Sequence, residues 1–151
     1  MQRSLLATAI TCALAASVPL CAQADADLTG QNNSYSWDTG NLNVNSGAVV
    51  GGSTYGIRAQ STNKGTLTNN GVIQGTSSGL AIHSITVASV SNSGTIFGSI
   101  GVYNTGNIVN VSNQGTISGT SIGIQNTGTI STLTNASTGT CLLYTSPSPR
   151  D

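Results

Sequence analysis

The chain has 151 residues, of which 5% are charged, 4% are aromatic and 19 are glycine, and its formal net charge is +0; an ordinary globular domain carries roughly 25% charged residues. A neutral chain offers no electrostatic footing for nucleic acid or an anionic membrane surface, since both need a basic patch. Its regular supply of Ile, Val and Leu also separates it from a disordered polymer.

At the N-terminus, Met1–Ser4 with Arg3 forms a short n-region, Leu5–Leu20 an apolar stretch interrupted by Pro19, and Ala22-Gln23-Ala24 a small-x-small cleavage site. Residues 1–24 therefore read as a secretory signal peptide cut after Ala24, with Ala26 as the alternative. The apolar run is shorter than the roughly 20 residues of a spanning helix, which argues against a retained anchor. Leu20 stands where a lipobox ending in Cys21 would have a small residue, which argues against lipidation.

Residues 25–41 read as a leader, with Tyr35 and Trp37 capping the first rung of the repeat region. A solenoid end exposes strand edges and core, and bulky side chains close it. From residue 42 to 140 runs a degenerate repeat of about 22 residues. It reads NSGAVVGGSTYGI from Asn45, NNGVIQGTSSGL from Asn69, NSGTIFGSIGV from Asn92 and NQGTISGTSIGI from Asn113, with a further copy opening at Asn135. Units of this length bury their apolar side only against neighbouring units, so the repeat predicts an all-β fold, a right-handed parallel β-helix whose rungs stack into a rod.

Each rung is expected to hold three short strands. The first places Val49, Ile73, Ile96 and Ile117 in one inward ladder; the second places Ile57, Leu80, Val102 and Ile124 in another; a third matches Ile108 and Val111 with Ile130 and Leu133. Such ladders stack at about the 4.8 Å strand spacing. Asn45, Asn69, Asn92, Asn113 and Asn135 are expected to form a turn ladder, each side chain bonding its own corner and the amides above and below. Gly71, Gly94 and Gly115 follow Asn by two places, where positive φ is expected. Spacing is least regular between Gly56 and Val90. Tyr55 and Tyr103, at rung corners, are candidates for surface contact with a sugar or a protein.

After Thr140 the repeat stops within a unit, and residues 141–151, from Cys141 to Asp151, resemble the translation of a transposase-type sequencing adaptor. Pro147 and Pro149 do not continue a hydrogen-bonded ladder. This segment is expected to be a non-native tail, with the natural protein running on through further rungs. Cys12 and Cys21 leave with the signal peptide and Cys141 belongs to the tail, so no disulfide or thiolate site is expected in the mature segment.

Catalytic chemistry is tested by subtraction. Glycan-cleaving β-helices work through clustered carboxylates or a carboxylate-held Ca²⁺, yet no Asp or Glu stands between Asp38 and Asp151. His83 is the only histidine, too few for a triad or a His metal cluster. The expectation is no catalytic residue, no cofactor, no metal and no nucleic-acid partner.

The signal peptide together with repeated N-x-G-T-I-x-G, G-I-x-N-T-G-T-I and L-T-N strings resembles the passenger region of bacterial autotransporters, the type V secretion proteins. The resemblance covers roughly residues 42–140. It implies a C-terminal outer-membrane translocation barrel in cis, export through the periplasm to the cell surface or medium, and an adhesive, biofilm or structural role toward an unidentified surface ligand. Two alternatives remain open: the stalk of a larger secreted β-helix enzyme, and an exoprotein of a two-partner system, similar to filamentous haemagglutinin. A self-assembling fibre like curli is a further reading, but the paired Gln and Asn of curli-type repeats are missing.

Overall fold

The computed structural model describes residues 25–141; residues 1–24, where a signal peptide cut after Ala24 is expected, and residues 142–151 lie outside the described residues. The first turn of the coil holds β1 (Ala26–Leu28), β2 (Gln31–Asn33) and β3 (Tyr35–Trp37), and the second β4 (Leu42–Val44), β5 (Val49–Gly52) and β6 (Tyr55–Ala59). The third turn holds β7 (Lys64–Asn69), β8 (Val72–Gly75) and β9 (Ser78–Ile82). In the next two turns the second and third strands run together, giving β10 (Thr86–Asn92) with β11 (Thr95–Asn104), then β12 (Asn107–Asn113) with β13 (Thr116–Asn126). A further turn begins with β14 (Thr129–Asn135) and β15 (Thr140–Cys141).

Every pairing is parallel and joins a strand to its counterpart one turn away. The chain is thus an all-β parallel solenoid of about 5 turns, its rungs about 22 residues apart. One sheet runs β1-β4-β7-β10-β12-β14; a second runs β2-β5-β8-β11 and returns through β9-β6-β3, because the long β11 bends across two faces of the coil. No single turn has a core of its own. Each gains one by placing its aliphatic residues over those of the turn below.

Four inward columns fill the interior. Ile73, Ile96 and Ile117 stack on the first face, and Ile57, Leu80, Val102 and Ile124 on the second, all at 1% exposure or less. Leu42, Leu67, Val90 and Val111 form the third column, and Val87 beside Ile108 the fourth. Burying one such side chain is worth roughly 1.5–3 kcal/mol, and every full turn contributes several.

Register corrects two residues of the first repeat. Val50, not Val49, pairs with Ile73 and is buried, while Val49 pairs with Val72 and is only partly covered. Likewise Val44, not Asn45, pairs with Asn69. The cause is a longer corner: a turn closed by Ala48 N–H donating to Asn45 O at 2.9 Å, with Gly47 at φ 79°, adds two residues before the strand resumes. Asn45 belongs to that turn and not to the ladder. Aligning the repeat on its Asn-x-Gly string places the first copy on the turn, whereas the strands align on their buried side chains.

The segment 25–41 is itself a turn of the coil and not only a leader. Leu28 pairs with Val44, Tyr35 with Ile57 and Trp37 with Ala59. Trp37 is fully buried and its indole donates to Gly40 O at 3.2 Å, so it fills the first turn from within. At the other end the corner from Asn135 to Thr140 has the same added length, with Gly139 N–H donating to Ala136 O, and Cys141 takes the position over Ile117, packed against the core.

Gly71, Gly94 and Gly115 are not at positive φ; among the described glycines only Gly30, Gly40 and Gly47 are. Their role is close approach: a Cβ on Gly94 or Gly115 would lie under 3.0 Å from the carbonyl oxygen of the glycine one turn below. The irregular stretch between Gly56 and Val90 resolves into corners of unequal length. Ser61 at φ 77° and Ser84 at φ 52° lie in them, and β11 has a register shift between Gly98 and Ile100.

Candidate functional site

The asparagine column is continuous from Asn69 through Asn92 and Asn113 to Asn135. Each Nδ2 donates to the Oδ1 of the next at 2.7 Å. The same Nδ2 groups also reach backbone carbonyls: Asn69 that of Thr95 at 3.2 Å, Asn92 that of Thr116 at 3.1 Å, Asn113 that of Thr140 at 3.0 Å. Asn69, Asn92 and Asn113 are fully buried, so their amide groups have no freedom to face a ligand. The column is a structural spine. It stabilises corners that would otherwise bury unsatisfied carbonyls.

A second spine is built the same way on another corner. Asn104 Nδ2 donates to Asn126 Oδ1 at 2.7 Å and to Thr129 O at 3.1 Å, while its Oδ1 accepts from Gly106 N–H at 3.1 Å. Neither Asn104 nor Asn126 is among the asparagines that the repeat assigned to a turn ladder. The signal was present in the Asn-Thr-Gly that both open, the same Asn-x-Gly corner as the first column. In earlier turns these two positions are apolar: Leu28 and Val44 underlie Asn69, and Trp37, Ala59 and Ile82 underlie Asn104.

On the outer surface the structure brings Tyr55 and Tyr103 together through His83. The His83 ring meets Tyr55 and Tyr103 edge-on, at 5.8 Å between centroids in both cases. The Arg58 guanidinium lies over the Tyr55 ring, 5.6 Å from its centroid, within the range of a cation–π contact. Beside this group a cleft of about 240 Å³ opens between Ser34–Ser36 and Ser53–Tyr55, bounded by Arg58. His83 is partly buried as the central ring of the cluster. The sequence held no signal for this, because the three rings meet only through the stacking of three turns.

The other titratable groups are engaged locally. Lys64 is 4% exposed, and its ammonium donates to the carbonyls of Asp38, Gln60 and Thr62 and to Thr62 Oγ1, at 2.6–3.1 Å. Burial pulls its pKa down, and the Asp38 carboxylate opposes that. Asp25 accepts from Asn41 N–H, Asp27 from Asn43 Nδ2 and Asp38 from Ser36 Oγ. Among the described residues no three His, Cys, Asp or Glu side chains converge on a metal position.

Burial, with Arg58 second, holds His83 below its usual pKa. The unfolded chain then takes up the proton first, so stability is full above about pH 6.5 and is lost as pH falls through the unfolded value toward the folded one. The melting temperature of the wild type is expected to fall more steeply between about pH 7 and pH 5 than that of His83→Gln, as followed by circular dichroism. Parallel curves would contradict this.

No family model, curated protein or solved structure matches the chain.

Proposed function

We propose that this solenoid is a non-catalytic passenger segment of an autotransporter, exported through the periplasm and held at or released from the outer-membrane surface by a translocation barrel in cis, where it serves adhesion, biofilm or structure. The observation that carries the reading is the pairing of a signal-peptide-like leader with a rod built entirely from stacked parallel turns. A fold whose every turn is stabilised by the one before it suits a chain that folds progressively as it emerges from a membrane. The carboxylates support the non-catalytic part. All three in the described segment lie in its first turn, each bonded to a neighbouring amide or hydroxyl, so none is paired for acid–base work. The long, nearly uncharged surface suits weak repeated contacts, which gain strength by multivalency.

The test is export. In a Gram-negative host the chain is expected to lose residues 1–24, giving a mature N-terminus at Asp25 by mass spectrometry. Fused to a known translocation barrel, residues 25–141 are expected to become accessible to protease on intact cells. Reading the natural locus past the codon of Thr140 is expected to reveal strands of about ten residues with alternating apolar and polar positions, the pattern of a barrel. A chain that keeps Met1 and stays in the cytoplasm would overturn export. A locus with no barrel but a giant exoprotein frame would favour two-partner secretion.

A further inference from the structure

We infer that the cleft beside Tyr55 and Arg58 binds a single carboxylated sugar ring, of the uronate class, with Arg58 taking the carboxylate and the tyrosines and hydroxyls of the cleft taking the ring. This goes beyond surface display and does not depend on the route of export.

Charge is the first argument. Between residues 25 and 141 the only basic side chains besides His83 are Arg58 and Lys64. Lys64 is spent: its ammonium donates to four oxygens, the carbonyls of Asp38, Gln60 and Thr62 and the Thr62 hydroxyl. Arg58 is exposed, which makes it the one fixed cation that the described residues present to solvent. Its planar fork matches a carboxylate with two parallel hydrogen bonds.

Shape and lining supply the second. At about 240 Å³ the cleft lies below the roughly 300–1,000 Å³ of pockets for drug-sized ligands, so it accommodates one ring and not an extended chain. Besides Arg58 and Gln60 it is lined by hydroxyl-bearing residues alone, Ser34, Tyr35, Ser36, Ser53, Thr54 and Tyr55, of which the Ser36 hydroxyl is engaged by Asp38, and by no aliphatic residue. A peptide anchor needs an apolar groove or a free strand edge to add to; a sugar needs hydroxyl partners and an aromatic surface. Burial, and then Asp38, raise the Tyr35 pKa, so its phenol stays a donor. The edge contacts of His83 with Tyr55 and Tyr103 hold the Tyr55 ring in place before a ligand arrives, which lowers the ordering cost of binding.

The test is a titration of the full, isotope-labelled chain with methyl glucuronide, methyl glucoside and an acetylated peptide ending in glutamate, followed by NMR shifts. Glucuronide is expected to move the Tyr55 and Arg58 resonances and to bind at least about 10-fold more tightly than glucoside, the difference made by one charge-assisted contact. Arg58→Gln, at an exposed position, is expected to bring glucuronide down to the level of glucoside while the circular dichroism spectrum and melting temperature stay unchanged. No shifts with glucuronide, an equal response to glucoside or to the peptide, or undiminished binding by Arg58→Gln would each overturn the assignment. Failure of the export experiment leaves this result untouched, because binding is measured on the purified chain.

Discussion

Replacing Ile96 by Asp is expected to abolish cooperative folding or to lower stability by about 4–5 kcal/mol, whereas Thr95→Asp costs about 1 kcal/mol or less. Ile96 is fully buried between Ile73 below and Ile117 above. A carboxylate there has no cation within the coil to meet it, since the one buried ammonium among the described residues, Lys64, is held at another corner by four oxygens. An unpaired buried charge then costs several kcal/mol on top of the lost apolar contact. Thr95 is only partly covered and stands between Val72 and Thr116, so an added carboxylate meets no like charge. Denaturant melts decide the matter. Equal losses for the two variants would mean that the inward face is wrongly assigned.

Asn92→Leu is expected to cost about 3–5 kcal/mol although it adds apolar volume to a buried place. Its Nδ2 serves Asn113 Oδ1 at 2.7 Å, Thr116 O at 3.1 Å and Gly94 O at 3.2 Å, and its Oδ1 accepts from Asn69. Removing it strands Asn113 Oδ1 and Thr116 O and takes one partner each from Gly94 O, which keeps Thr116 N–H, and from Asn69, which keeps Thr95 O. Each orphaned buried group costs about 1–3 kcal/mol. The effect should fade along the column: Asn135 is exposed at its end, and Asn45, outside the column altogether, should tolerate Ala within about 1 kcal/mol. A double-mutant cycle of Asn69 and Asn92 should show coupling well above additivity. If Asn45→Ala were as damaging as Asn92→Leu, the spine would be misplaced.

The stacked fold was legible because the late repeats are faithful. Ile96 and Ile117 fall one turn apart, and so do Val102 and Ile124; the same spacing returns in the pairing of strands. The early repeats were harder to read. An added turn at Asn45–Ala48 keeps the Asn-x-Gly string while shifting the strand, so the pattern pointed to Val49 and Asn45 where the coil uses Val50 and Val44. The first turn carries none of the repeat's glycine punctuation beyond Gly30 and Gly40, and its buried hydrophobic side chains are only Leu28 and Trp37. The candidate site was the least legible part. Tyr55, His83 and Tyr103 share no motif; they meet because the coil returns each of them to the same flank, and only the pitch and corner lengths of three successive turns determine that.

The central claim is that equivalent residues of successive turns lie directly over one another, joined by the asparagine spine. Side-chain amide and methyl NOEs in a labelled sample test it most directly. The structure predicts contacts of Asn92 with Asn69 and Asn113, at sequence separations of 23 and 21, and of the Ile96 methyls with Ile73 and Ile117. Antiparallel contacts between consecutive strands, or no Asn–Asn contact at these separations, would contradict it.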